Sequence, residues 1–314
     1  RLSEEGRFDY LLIEGTGIAE PLPVASTFSF RDGNGMSLSD VARLDTMVTV
    51  VDAASLLRDY GSHELLRDRG ETAGDGDDRT LVDLLVEQIE FADVILINKA
   101  SEVPAEQLSL VRKVVMSLNG DARIMETDFG RVPLDAVLDT GLFSEEKAER
   151  HPLWFKELYG HEDHVPETEE YGIRSFVYRA RRPFHPERFS AFTKRTWPGL
   201  IRAKGHFWLA TRPNWVAEFS LAGAIVRSGP LGLWWAAVPR ARWPDDPEWR
   251  RSLDRNWDEV WGDRRQELVF IGTGLDEAAI RADLDACLIG TEHPERFDPA
   301  AGRYLADPFP AWER

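Results

Sequence analysis

Apolar residues in the first half of the chain fall into short continuous runs separated by helix-patterned stretches. Tyr10-Leu11-Leu12-Ile13, Met47-Val48-Thr49-Val50-Val51 and Val94-Ile95-Leu96-Ile97 are such runs. A strand apolar on both sides suits a parallel sheet covered on both faces, so these runs predict buried parallel strands. Between them, 81–92 and 105–118 repeat apolar residues at helical spacing. The β-α alternation predicts a doubly wound α/β domain. Residues 67–79, RDRGETAGDGDDR, lack the EF-hand spacing and read as a solvated insertion rather than a calcium loop.

The second half has a different rhythm. Residues 172–179 alternate, 186–196 read as a helix, and strand-like runs follow at 205–210, 215–220 and 224–228. A further strand is predicted at 266–272 and an amphipathic helix at 276–288. This is an α+β pattern, a largely antiparallel sheet with helices on one face. The tail after Thr291 is rich in Pro and Asp and reads as irregular. No internal repeat is visible.

Composition sharpens the division. The chain has 314 residues, enough for about two domains at ~150 residues each. All 11 tryptophans lie after residue 150, which implies two cores of different make-up. The expected layout is a first domain over 1–150, a linker over 151–170, a second domain over 171–290 and a tail over 291–314. Net charge is −17, from 38 basic and 55 acidic residues, which argues against a nucleic-acid backbone as the main partner. No apolar run approaches the roughly 20 residues that span a bilayer, and the polar RLSEEGRFDY is not a secretory signal. Cys287 is the only cysteine, so no internal disulfide forms, which fits a reducing cytoplasm.

Two segments carry chemistry. In FDYLLIEGTGIAEP, residues 8–21, an apolar strand ends in Glu14, and Gly17 follows three residues later. A carboxylate at such a strand tip holds Mg²⁺ in P-loop NTPases, and a glycine lets its amide approach the terminal phosphate. A strand followed by a glycine-rich turn with no ligand fits the same pattern about as well. In ILINKAS, residues 95–101, a strand delivers Asn98-Lys99 where ligands of open α/β sheets bind. Asn-Lys begins the guanine-recognition motif N-K-x-D; alone, the dipeptide is more often an ordinary strand-to-turn step. The motif's aspartate is Ser101 here, and a hydroxyl cannot present two charged acceptors side by side.

In this order and separation, these stretches resemble the CobW-like P-loop GTPases. TMVTVVDA (46–53), EFADVILINKASEV (90–103) and LDTGLFSEEKA (138–148) extend the resemblance. GIRSFVYRARRPFHPERF (172–189), KGHFWLATR (204–212) and GDRRQELVFIG (262–272) resemble the CobW C-terminal domain. The resemblance implies an α/β P-loop NTPase domain with a parallel sheet, followed by an α+β CobW C-terminal domain. It implies GTP hydrolysis with Mg²⁺, coupled to delivery of a transition metal, most often Zn²⁺, to a metal-receiving client protein in the cytoplasm. Homo-oligomerisation is compatible with it. It places Glu14, Thr16 and Gly17 at the switch near the γ-phosphate, and Asn98, Lys99 and Ser101 at the base. The alternatives are cobalt delivery for corrinoid synthesis, or a non-catalytic truncated protein that keeps only client or metal contacts.

Three departures accompany the resemblance. The 314 residues contain no Gly-Lys dipeptide, the core of the phosphate loop, and no Cys-x-Cys-Cys metal motif. Only seven residues precede Phe8, and the first is Arg1 rather than Met. The nucleotide domain is therefore expected to lack its first strand and phosphate loop, and the 314 residues to be inactive alone. His161-Glu162-Asp163-His164 stands where relatives carry a His-rich loop; His161 and His164 are weak Zn²⁺ candidates, and a solvated charge cluster is the plainer reading. His185 before Pro186 reads as a helix-entry residue, and Cys287 as core.

Overall fold

The computed structural model describes residues 9–15, 17, 19–29, 31, 33, 35–63, 80–144, 173–289 and 301–312. Thr16, the 67–79 insertion, His161 and His164 lie outside the described residues. Two compact units make up the chain.

The first unit holds a parallel three-stranded sheet, β1 (Val48–Asp52), β2 (Val94–Asn98) and β3 (Arg123–Glu126), in the order β1-β2-β3. Its helices are α1 (Pro21–Ser29), α2 (Leu56–Tyr60), α3 (Leu81–Glu90) and α4 (Ala105–Leu118). α3 starts sharply because Thr80 and Asp83 form a reciprocal capping box. The middle strand is buried from Val94 to Ile97, as its continuous apolar run requires. Val82, Leu84, Val86 and Ile89 of α3, and Val111, Val114, Val115 and Leu118 of α4, are buried too. Asn119 ties the ends of these helices together. Its Nδ2 donates to Ile89 O and Ala92 O, both at 2.8 Å, and its Oδ1 accepts from Ala122 N.

Two apolar runs depart from expectation. Tyr10–Ile13 forms no strand, and its four side chains are exposed, Leu12 at 79%. β1 is a strand at the sheet's edge, but Val48 and Val50, which share one of its faces, are exposed. An apolar run records a preference for pairing and cover. Tyr10–Ile13 is neither paired into a sheet nor covered by the described residues, while β1 is paired with β2 and lacks cover only over Val48 and Val50.

The second unit holds a five-stranded sheet in the order β4-β8-β5-β6-β7. The strands are β4 (Ile173–Ala180), β5 (Leu200–Phe207), β6 (Trp215–Ala222), β7 (Ile225–Leu233) and β8 (Gln266–Thr273). β8 lies between β4 and β5 and runs antiparallel to both. Helices α5 (Pro186–Thr193) and α7 (Glu277–Cys287) pack over an aromatic core of Phe176, Phe184, Phe189, Phe192, Phe207, Phe219 and Phe270. Trp208, Trp234 and Trp261 form a separate buried cluster. A further helix, α6 (Pro247–Arg255), precedes β8. Pro186 stands in the first turn of α5 with His185 as its cap residue. Cys287 is buried, and burial pushes its thiol up to about 11, so it behaves as core rather than as a nucleophile.

Near the end of the chain, Ala301–Tyr304 makes a 3-10 turn. Arg212 grips the segment beyond that turn: its guanidinium donates to Asp307, Phe309 O and Pro310 O and lies 4.2 Å from the centroid of the Trp312 ring.

Candidate functional site

Parallel strands aligned in register bring their carboxyl ends to one edge, and in this sheet Asp52 pairs with Asn98. The backbone reverses there: Ala53 N donates to Asn98 O at 3.0 Å, and Lys99 adopts left-handed φ 59°. That conformation is uncommon for a residue with a Cβ and clusters at functional turns. It turns Lys99 toward β1, where Nζ lies 2.6 Å from Asp52 Oδ2. Burial alone would raise the Asp52 carboxyl, but hydrogen bonds from Lys99 Nζ and Ala54 N outweigh it and hold the group below the usual carboxylate range. The same bond raises Lys99.

The loop after β3 closes the crevice from the other side. Thr127 N donates to Ile97 O at 2.9 Å, and Ala100 N to Thr127 O at 3.2 Å. Asn98 Oδ1 accepts from Gly130 N at 3.0 Å, while Ser101 N donates to Asp128 Oδ1 at 3.0 Å. Phe129 and Gly130 both have positive φ, and the Phe129 ring is 83% exposed. Asn98 is thus a brace between two loops, and Lys99 is held by a carboxylate at the strand end.

The structure therefore gathers Asn98, Lys99 and Ser101 into one crevice. Glu14 and Gly17 are exposed, on the segment after Tyr10. Gln88 Nε2 of α3 holds that segment, donating to Gly17 O at 3.1 Å and Ala19 O at 3.2 Å. Tyr10 anchors its start through a 2.7 Å bond to Asp45 Oδ2. Among the described residues no hydrogen bond or ion pair joins Glu14 or Gly17 to Asn98, Lys99 or Ser101.

Residues 1–126 match the family described as CobW/HypB/UreG, nucleotide-binding domain, and residues 173–288 match the Cobalamin synthesis protein cobW C-terminal domain. The chain belongs to the CobW family. Zinc-regulated GTPase metalloprotein activator 1 of Dictyostelium discoideum is 44% identical over 294 residues, which are 92% of this chain and 61% of that protein. A zinc chaperone of Mycobacterium tuberculosis is 28% identical over 282 residues, 89% of this chain and 64% of that protein. The chain spans less than two thirds of the length of either relative.

In this CobW chain the motifs did not point to two carboxylates of the crevice, Asp52 and Asp128. Asp52 had a usable signal, an acidic residue at the end of the apolar run MVTVV. Asp128 had none: it becomes a neighbour of Ser101 only when β3 aligns beside β2.

Proposed function

We propose that the protein is a GTP-binding, GTP-hydrolysing metallochaperone that delivers zinc to a client protein in the cytoplasm. The observation that carries this reading is the braced Asn98-Lys99 turn at the carboxyl end of a parallel sheet, in a chain of the CobW family. The names of the relatives, a zinc-regulated GTPase metalloprotein activator and a zinc chaperone, favour zinc over cobalt as cargo.

In this reading Asn98 fixes the loop after β3, and the Lys99 stem flanks the base while Asp52 holds its ammonium. Glu14 is an exposed carboxylate that takes no hydrogen bond or ion pair from the described residues, which suits a hard divalent cation that keeps several waters. Mg²⁺ would neutralise charge on the phosphates there. Gly17 and Thr16 would face the γ-phosphate, and the Gln88 anchor sets where that segment bends. Zinc is the substrate carried, and among the described residues no group of three or more His, Cys, Asp or Glu gathers for it. The nucleotide domain over 1–150 would act through the junction at 151–170 on the domain over 171–290, which would meet the client or a second copy.

The test is nucleotide binding and hydrolysis by the full-length gene product, since the 314 residues hold no Gly-Lys dipeptide for the phosphates. Asn98→Ala should weaken GTP binding roughly 10-fold, because the loop brace goes with it. Glu14→Ala should spare binding and lower Mg²⁺-dependent turnover by about 100-fold. Full-length protein that binds no guanine nucleotide at millimolar concentration would refute the reading.

A further inference from the structure

Guanine presents two donors side by side, N1–H and the 2-amino group, where adenine presents an acceptor at N1. A carboxylate matches the first and repels the second. Ser101 occupies the place of the motif's aspartate and offers one hydroxyl. Its backbone amide, however, is committed to another carboxylate. Ser101 N–H donates to Asp128 Oδ1 at 3.0 Å, which seats that carboxylate beside the position left by the missing aspartate side chain.

The seat is rigid. Thr127 N donates to Ile97 O, Thr127 Oγ1 to Arg131 O at 2.8 Å, and Arg131 N to Asp128 O at 3.2 Å. Gly130, two residues on, is pinned to Asn98, the residue that braces the crevice. Asp128 is half-buried; Oδ1 takes the Ser101 bond, and no bond to Oδ2 is present among the described residues. Glu102, the acidic residue next to Ser101 in sequence, is exposed, and no backbone amide among the described residues holds its carboxylate. A pre-positioned acceptor loses less entropy on binding than a free side chain.

We propose that Asp128, from the loop after β3, reads the guanine N1–H and 2-amino group in place of the aspartate absent at position 101. The proposal rests on the GTP-binding reading and names the residue that makes the site selective.

The test is competition binding of GTP, ITP, XTP and ATP to the full-length protein. Asp128→Asn retains an oxygen for the Ser101 amide and so keeps the loop, but it sets an N–H donor where guanine also donates. GTP affinity should fall roughly 10- to 100-fold. XTP, which has a carbonyl at C2, should become the preferred nucleotide. ITP, lacking the 2-amino group, should bind wild type more weakly than GTP. Asp128→Ala should bring GTP and ATP to within a few-fold of each other, and adding Ser101→Asp should restore the preference for GTP. An unchanged order GTP over XTP in Asp128→Asn overturns the proposal, as does wild-type protein that binds GTP and ATP equally; both leave nucleotide binding standing. Absence of any guanine-nucleotide binding in wild type overturns the function and this proposal together.

Discussion

Removing the charge of Asp45 should destabilise the first unit, and the size of the loss can be worked from its partners. The carboxylate is 8% exposed. It accepts from Gly141 N at 2.7 Å, Tyr10 Oη at 2.7 Å, Thr46 Oγ1 at 2.8 Å and Thr140 N at 3.1 Å. Burial would raise its pKa, yet these donors prevail and hold it at about 2. Against the ordinary 3.8, that is about 2 pH units, or roughly 2–3 kcal/mol of linkage. The folded value is depressed, so the stabilisation is present above pH ~4 and is lost as pH falls toward 2. Asp45→Asn keeps the shape but replaces an acceptor oxygen with a donor facing donors, so it should cost about 2 kcal/mol near neutral pH and flatten the acid limb. Urea unfolding of the 314-residue chain, followed by hydrogen exchange at Val94–Ile97, isolates the first unit from the second. Exchange protection and acid sensitivity matching wild type would show that the four donors are equally satisfied by water, and the reasoning would fail.

His206 should give the second unit an acid-sensitive core. Burial and the neighbouring Arg265 push it down to about 4 despite Glu267, so stability is full above its unfolded value near 6.5 and falls by ~3 kcal/mol as pH drops toward 4. His206→Gln should abolish the slope between pH ~6.5 and ~5 in fluorescence-monitored urea melts; an equal slope in the variant would assign the effect elsewhere. Gly205 has φ 150°, and a Cβ there would lie 2.1 Å from Glu267 O in the next strand. Gly205→Ala should therefore cost on the order of 3 kcal/mol, and a melting temperature within about a degree of wild type would contradict the close approach.

The second unit was legible because β4 alternates, β8 carries a continuous apolar run and α7 is amphipathic, and these patterns are local. β4, β8, α5 and α7 appear within a few residues of expectation, whereas β5 begins at Leu200 rather than 205 and β7 extends to Leu233. The first unit was legible where one segment is both apolar and central: β2 and α4 lie where the pattern puts them. β3 was missed because RIME is short and half polar, and it is recruited as a strand by β2 rather than by its own composition. α1 was missed because Pro21 and Pro23 suggest a break, although proline is tolerated in a first helical turn. Tyr10–Ile13 failed the other way, since its preference for a sheet is local while pairing is not.

The crevice divides in the same way. Asn98 and Lys99 are contiguous, so their spacing exposed them; Asp52 ends the strand on one side and Asp128 lies in the loop after the strand on the other, and only the register Asp52↔Asn98 and Ile97↔Glu126 brings them there. That neighbourhood also gives a physical reason for the serine. An aspartate at 101 together with Asp128 would place two like charges around one base edge, and one of them would have to take up a proton or turn away. With Ser101, the amide that would have carried a competing carboxylate instead fixes the one that is present. Taken alone, Ser101 is a lost contact. Beside Asp128 it leaves room for a single acceptor held by backbone, which is why the rescue by Ser101→Asp is expected only when Asp128 is first removed.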